Sequence, residues 1–166
     1  MAKKRNIPLT AAAIICVISL VVMIAALTFS GGESEPVAFT PPPFDENALQ
    51  GSPDVPESLG WGEIDAQVYK ASICGVVTVE DGKADIWFTN PESNTVWLKL
   101  RVLDTDGNIL GETGLIRPGE YVQSVVFGTI PEVGDSIGLK LMAYEPDTYY
   151  SAGSATLNTI IAGGEE

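Results

Sequence analysis

From Trp61 onward the chain alternates apolar and polar residues in short runs cut by turn residues, and no other feature constrains the fold as strongly. Alternation with period two marks half-buried strands, because successive side chains of a strand point to opposite faces. Residues 73–80 (ICGVVTVE) and 83–89 (KADIWFT) flank Asp81-Gly82, whose ease at positive φ suits a two-residue hairpin. The turn Asn90-Pro91-Glu92-Ser93-Asn94 leads into 95–103 (TVWLKLRVL), and Asp104-Thr105-Asp106-Gly107-Asn108 leads into 109–116. Pro118-Gly119 precedes 121–127, a loop over 131–135 precedes 136–144, and a longer loop through Tyr149 and Tyr150 precedes 154–161. This pattern predicts seven strands, with an eighth conceivable at 65–69, and no stretch here reads as a helix. The expected fold class is all-β: an immunoglobulin-like or fibronectin-like antiparallel sandwich of about seven strands. The Cys…Trp…Cys spacing of true immunoglobulin domains is absent, so the likeness is one of architecture.

The run FTNPESNTVWLKLRVLDTDGNIL, followed by ETGLIRPGEYVQSVVF and LKLMAYEP, resembles small membrane-anchored surface proteins of Gram-positive bacteria. It resembles FxLYD-like accessory β-sandwiches more loosely. The shared order is an Asn-rich turn, an apolar strand, D-x-D-G, a P-G-E turn and a strand ending in Tyr. The likeness spans residues 74–161 and consists of turn chemistry, so it implies an architecture and not an activity; the F-x-L-Y-D run itself is absent.

The N-terminal region has a different composition. Residues 6–32 carry no charge, and 9–29 read LTAAAIICVISLVVMIAALTF. At 1.5 Å per residue, about 20 apolar residues cross a hydrocarbon core of ~30 Å. Lys3, Lys4 and Arg5 precede this run, while all 22 acids lie beyond residue 32. The positive-inside rule then places the N-terminus in the cytoplasm and the rest outside. The organisation expected is a basic cytoplasmic tail (1–8), a transmembrane signal-anchor helix (9–29), an extended acidic Pro-rich stalk (30–60), an extracytoplasmic β domain (61–162) and a disordered tail (163–166). A cleavable signal peptide fits less well, since Thr28-Phe29-Ser30 is a poor small-x-small site and the apolar run is long. Ile15 stands where a lipobox at Cys16 needs a small residue, and no pilin-type cut site precedes the run. Six of the eleven prolines fall in 31–60 among Gly, Ser and acids without apolar periodicity, which favours an extended spacer.

Charge and chemistry exclude several functions. Beyond residue 32 six cations face 22 acids, so the domain repels nucleic-acid phosphates, and nucleic acid is excluded as a partner. With no histidine there is no imidazole base, so Ser-His and Cys-His nucleophile activation is impossible. The carboxylates cluster in turns and linker, no phosphate-cradling Gly loop or metal-ligand spacing occurs, and neither an enzyme nor a cofactor is expected. Asp104…Glu112 invites a calcium reading. With Gly107 sixth, however, apolar Val102 stands first and Thr113 twelfth, so a hairpin turn explains the residues better. Cys16 and Cys74 lie in different regions and cannot pair within one chain; Cys74 reads as a small buried hydrophobe. Alternation turns Lys99 and Lys140 outward, against an internal isopeptide crosslink.

One feature suits recognition. With Ala84, Ile86 and Phe88 inward, Trp87 faces out, as does Trp97 on the next strand. If Thr89 pairs with Thr95, Trp87 lies beside Trp97 and Asp85 beside Lys99. Trp87 and Trp97 are therefore the partner-binding candidates, unless the stalk or residues 61–72 cover them. The expected function is a non-enzymatic, membrane-anchored binding or assembly module with a surface protein as its partner. The alternative is an accessory subunit whose transmembrane helix makes the key contact.

Overall fold

The computed structural model of the protein describes residues 17–25 and 39–163. Residues 17–25 form an exposed helix inside the expected 9–29 span. The rest of that span, the 1–8 tail, the start of the stalk and residues 164–166 lie outside the described residues. No helix among the described residues is long and apolar enough to cross a membrane.

The remainder is all-β. Ten strands follow in order: β1 (Leu49–Gln50), β2 (Trp61–Asp65), β3 (Lys70–Cys74), β4 (Val77–Glu80), β5 (Lys83–Asn90), β6 (Trp97–Leu103), β7 (Ile109–Glu112), β8 (Glu120–Val126), β9 (Ser136–Tyr144) and β10 (Ser151–Ala162). A single 3-10 turn, Glu57–Leu59, precedes β2. The strands run β1-β8-β5-β4-β10-β9-β6-β7 across one mixed sheet, with β3 also beside β5 and β2 beside β3. Every pairing is antiparallel except β4 with β10, where only Val77 and Thr78 meet Ile161 and Ala162. The sheet curls until β7 and β6 return to the residues flanking β8, through isolated bridges Gly111↔Phe127 and Leu98↔Ile116. Glycine is required at that return: a Cβ at Gly111 would lie 2.6 Å from the Val126 carbonyl oxygen.

The expected inward sets fill the core. Ala84, Ile86 and Phe88 of β5 and Val96, Leu98, Leu100 and Val102 in and before β6 are all buried, joined by Leu139 and Leu141 of β9. Asp81 and Gly82 adopt φ of 49° and 73° and close the β4–β5 hairpin, with Glu80 opposite Lys83. The run expected as one strand over 73–80 breaks at Gly75-Val76 into β3 and β4, and of the conceivable strand at 65–69 only Asp65 is in a strand, at the end of β2; the extra strands are β1 and β2.

Two expectations are overturned. The 90–94 turn does not close a hairpin, because β5 pairs with β3, β4 and β8 while β6 pairs with β7 and β9. The reason is Asn90, which is fully buried: its Nδ2 donates to the carbonyls of Val96 (2.9 Å) and Ile116 (3.1 Å). Its Oδ1 accepts from Asn94 Nδ2 at 2.6 Å, so the segment is tied down as a crossover between strands that do not pair. The second is the stalk. Its 41–60 part does not stand free: Leu115 N–H donates to the Pro43 carbonyl and Asp45 N–H to the Leu115 carbonyl, both at 2.9 Å, and β1 pairs with β8. The Asp45 carboxylate accepts from Gly114 N–H at 2.7 Å, and a Cβ at Gly114 would come within 2.7 Å of the Phe44 carbonyl carbon. Composition read as spacer therefore includes an edge strand of the domain.

Candidate functional site

The two tryptophans occupy separate places. Trp87 sits in a bulge of β5: Asp85 faces Ser124 and Phe88 faces Val122, so Ile86 and Trp87 together oppose Gln123 alone. A bulge inserts one residue into one strand and bends it, and here it holds Trp87 at φ 49°, a conformation rare for a bulky side chain. The ring stacks on Tyr121 with centroids 6.1 Å apart. The Trp87 carbonyl accepts from Trp61 Nε1 and from Thr89 Oγ1, each at 3.0 Å. The Trp87 Nε1–H is itself buried and has no acceptor.

Trp97 lies opposite Tyr144 on β6. Its ring meets Phe44 edge-on at 4.8 Å and Tyr149 at 5.1 Å. Phe44 comes from the segment expected to be stalk, so the cover allowed for in the sequence is present over Trp97. The adjacent outward pair expected from hairpin counting does not form. Asp85 is likewise opposite Ser124 and not beside Lys99.

Lys99 does leave the core face, yet it is buried, and its Nζ donates to Glu112 Oε1 at 2.8 Å. Arg101 Nε donates to the other carboxylate oxygen at 2.7 Å. Partial burial pushes the Glu112 carboxyl up, and the hydrogen bonds and charges of Lys99 and Arg101 more than offset this, leaving it below its usual value. At the 104–108 turn, Asp104 Oδ1 accepts from the backbone N–H of Asp106 and Asn108, and Oδ2 from Asn108 Nδ2. Those bonds to Asn108, followed by the turn's N–H groups, lower the Asp104 carboxyl. The carboxylate is thus spent on folding its own loop, with Gly107 at φ 85°. Among the described residues no group of three or more His, Cys, Asp or Glu side chains is placed to hold a metal ion. Cys74 is fully buried and unpaired; burial, with the Asp85 charge second, pushes its thiol up to about 12.

The surface that sequence reasoning missed is the free side of β10. From Ser151 to Asn158 the side of this strand away from β9 has no strand beside it among the described residues; Thr159 Oγ1 donates to the Gly75 carbonyl at 2.9 Å, and β4 reaches only the last residues. It is twelve residues long and reads SAGSATLNTIIA, with alternate residues exposed. Every other strand longer than two residues carries at least one charged residue. Exposed edges are ordinarily blunted by charge, proline or brevity, because unpaired N–H and C=O groups are a template for another strand. Here only the Gly153 bulge, at the start of the strand, does anything of the kind. Beside the edge, a groove of about 240 Å³ opens between β10 and the β2–β3 pair, lined by Ile64, Ile73, Cys74, Leu139 and Leu157, with Glu63 at the same groove. The sequence signals β10 as a strand, but which side of a strand stays unpaired depends on topology.

No protein-family model matches the chain, and no curated protein matches it.

Proposed function

We propose that this chain is a non-enzymatic binding or assembly module, held outside a cytoplasmic membrane by an N-terminal anchor, and that it docks another polypeptide strand along β10. The observation that carries the reading is the long, open, uncharged β10 edge. Strand addition uses main-chain hydrogen bonds for affinity and side-chain alternation for selection, and needs no catalytic group. The ionisable side chains near the sites above are engaged in ion pairs or turn bonds, which fits a module without chemistry of its own.

The anchor reading rests on the uncharged 9–29 run behind Lys3, Lys4 and Arg5, and on the acids that follow it. The resemblance to Gram-positive surface proteins fits the same placement. The finer architecture we favour is an immunoglobulin-like sandwich. In its favour, the β1-β8-β5-β4 and β10-β9-β6-β7 halves are joined only by a two-residue parallel pair and isolated bridges, and Ile86 and Phe88 share a core with Leu98 and Leu100.

A second docking surface has a specific observation behind it: the unpartnered Trp87 indole N–H, in a bulge beside Tyr121 and the half-exposed Trp61. Trp97, under Phe44 and Tyr149, reads as a buttress.

The test uses the full chain in native membranes, resolved by native electrophoresis after mild solubilisation. Thr156→Lys with Asn158→Lys adds charge at two exposed β10 positions and should release the chain from its complex. Replacing residues 9–29 by an unrelated apolar span should leave that complex intact. The opposite pair of results favours the accessory subunit held through its helix.

A further inference from the structure

We infer that the strand docked on β10 is β10 of a second copy, running antiparallel about a two-fold axis through Thr156; this rests on the edge reading above. The chain carries a net charge of −13, so two copies meeting through most of its strands would bring like charges together. β10 is the one long strand where they would not. A basic partner would find no carboxylate on β10, and Glu63, which lines the neighbouring groove, is already paired with Lys70 at 2.7 Å, so the natural complement of this strand is another uncharged one. The chain itself supplies it.

The side chains allow the pairing. A strand pairs with itself antiparallel without changing face when residues of equal parity stand opposite each other. With the axis at Thr156, Thr156 meets its own mate and Ser154 meets Asn158 on the exposed face, all hydroxyl or amide. On the other face Ala155 meets the half-buried Leu157, a small residue against a large one, which extends the partly buried apolar row beside the core. Gly153, at φ 116°, falls opposite Thr159, whose hydroxyl donates to the Gly75 carbonyl, so the bulge and that bond limit the pairing to residues 154–158. Such a contact is smaller than a standard protein interface, so covalent trapping in the membrane reads it most directly.

The experiment places single new cysteines in the full chain with Cys16→Ser, leaving the buried Cys74 in place. Thr156→Cys, Ser154→Cys and Asn158→Cys are oxidised mildly in membranes and the disulfide-linked dimer is measured. About the Thr156 axis, thiols introduced at position 156 face each other, whereas two thiols at position 154 stand four positions apart, roughly 13 Å along the strand. Bridging requires Cα atoms closer than about 7 Å, so Thr156→Cys should link at least about tenfold more than either neighbour alone. Coexpressing Ser154→Cys with Asn158→Cys should restore linkage, since those positions then face each other. All three sites are exposed, and unchanged thermal unfolding of each variant confirms that a low yield is not misfolding. Equal yields at all three positions would indicate parallel packing or random collision and overturn the inference. No linkage at any position also overturns it. If the lysine pair still releases the complex in that case, the edge docks a different protein and the proposed function stands without the self-pairing.

Discussion

Arg117 lies with its guanidinium carbon 3.6 Å from the centroid of the Phe44 ring, and the Trp97 ring meets the same ring edge-on with centroids 4.8 Å apart. Phe44 thus contacts both a cation and an edge-on aromatic ring, two arrangements that the ring's quadrupole favours. The segment carrying it has the composition of a free spacer, and it behaves as part of the fold.

Phe44→Ala should therefore destabilise the domain by about 1–3 kcal/mol through lost packing and the gap left above Trp97. Arg117→Gln should cost less, about 0.5–1 kcal/mol, the range of an exposed cation–π contact. Limited proteolysis gives the matching readout. The resistant fragment should begin before Pro43, and Phe44→Ala should open a cut between residues 44 and 60. A fragment starting at Trp61 in the unaltered chain would show that the docking is not stable.

The strands themselves were legible because period-two alternation and turn chemistry are local: Asp81-Gly82 and Pro118-Gly119 turn where their φ preferences say they should. The pairing was not. Thr89 and Thr95 are separated by a turn of hairpin length, but Asn90 is satisfied by carbonyls of Val96 and Ile116, and this buried tertiary contact has no local signature. One wrong pairing then produced the expected Trp87–Trp97 neighbours. The error over residues 41–60 has the same origin. Prolines and acids describe how poorly a segment folds alone, while Pro43, Phe44 and Asp45 fold against Gly114 and Leu115, about 70 positions away in sequence, where loop-closure entropy grows only slowly with length. Alternation gives Lys99 the correct face and the wrong environment, since burial on the outer face comes from what neighbouring strands contribute.

The two indole N–H groups near the β5 bulge should respond oppositely to removal. Trp61 Nε1 donates to the Trp87 carbonyl, so Trp61→Phe should lose about 0.5–1.5 kcal/mol. Trp87 Nε1 is buried without an acceptor, and Trp87→Phe removes an unsatisfied donor while keeping the stack on Tyr121. Its stability in denaturant should be unchanged or higher. If Trp87→Phe folds well but loses a partner that Trp61→Phe retains, recognition runs through the Trp87 N–H and not through β10.

Cys74 should be inert while the domain is folded. Its thiol, fully buried and pushed up to about 12, offers almost no thiolate at pH 8. A small alkylating reagent should label it only at the rate of unfolding, and denaturant should bring labelling to completion. Rapid labelling of the native chain with Cys16→Ser would reveal opening of the β2–β10 groove.

The Lys99–Glu112 pair should be asymmetric. The Lys99 side chain is 6% exposed and that of Glu112 37%, so the cation depends on the carboxylate more than the reverse. Glu112→Gln keeps an acceptor but leaves a buried cation without a counter-charge, and should cost about 1–2 kcal/mol at pH 7 after allowance for the exposed side of the pair. Lys99→Met leaves Glu112 with Arg101 and open water, and should cost less. The double variant should recover most of the Glu112→Gln loss, because no charge is then stranded. The pH dependence follows from the same pair. Glu112 is held below its usual 4.5, so near and below that value the unfolded chain binds more protons than the folded one. Its stabilising contribution is complete above about 4.5, where the unfolded carboxyl is ionised, and is lost as pH falls through the folded value. Denaturation midpoints measured from pH 7 to pH 3 should fall less steeply for Glu112→Gln than for the unaltered chain. Identical slopes would mean that the pair, however well formed, contributes nothing to acid sensitivity.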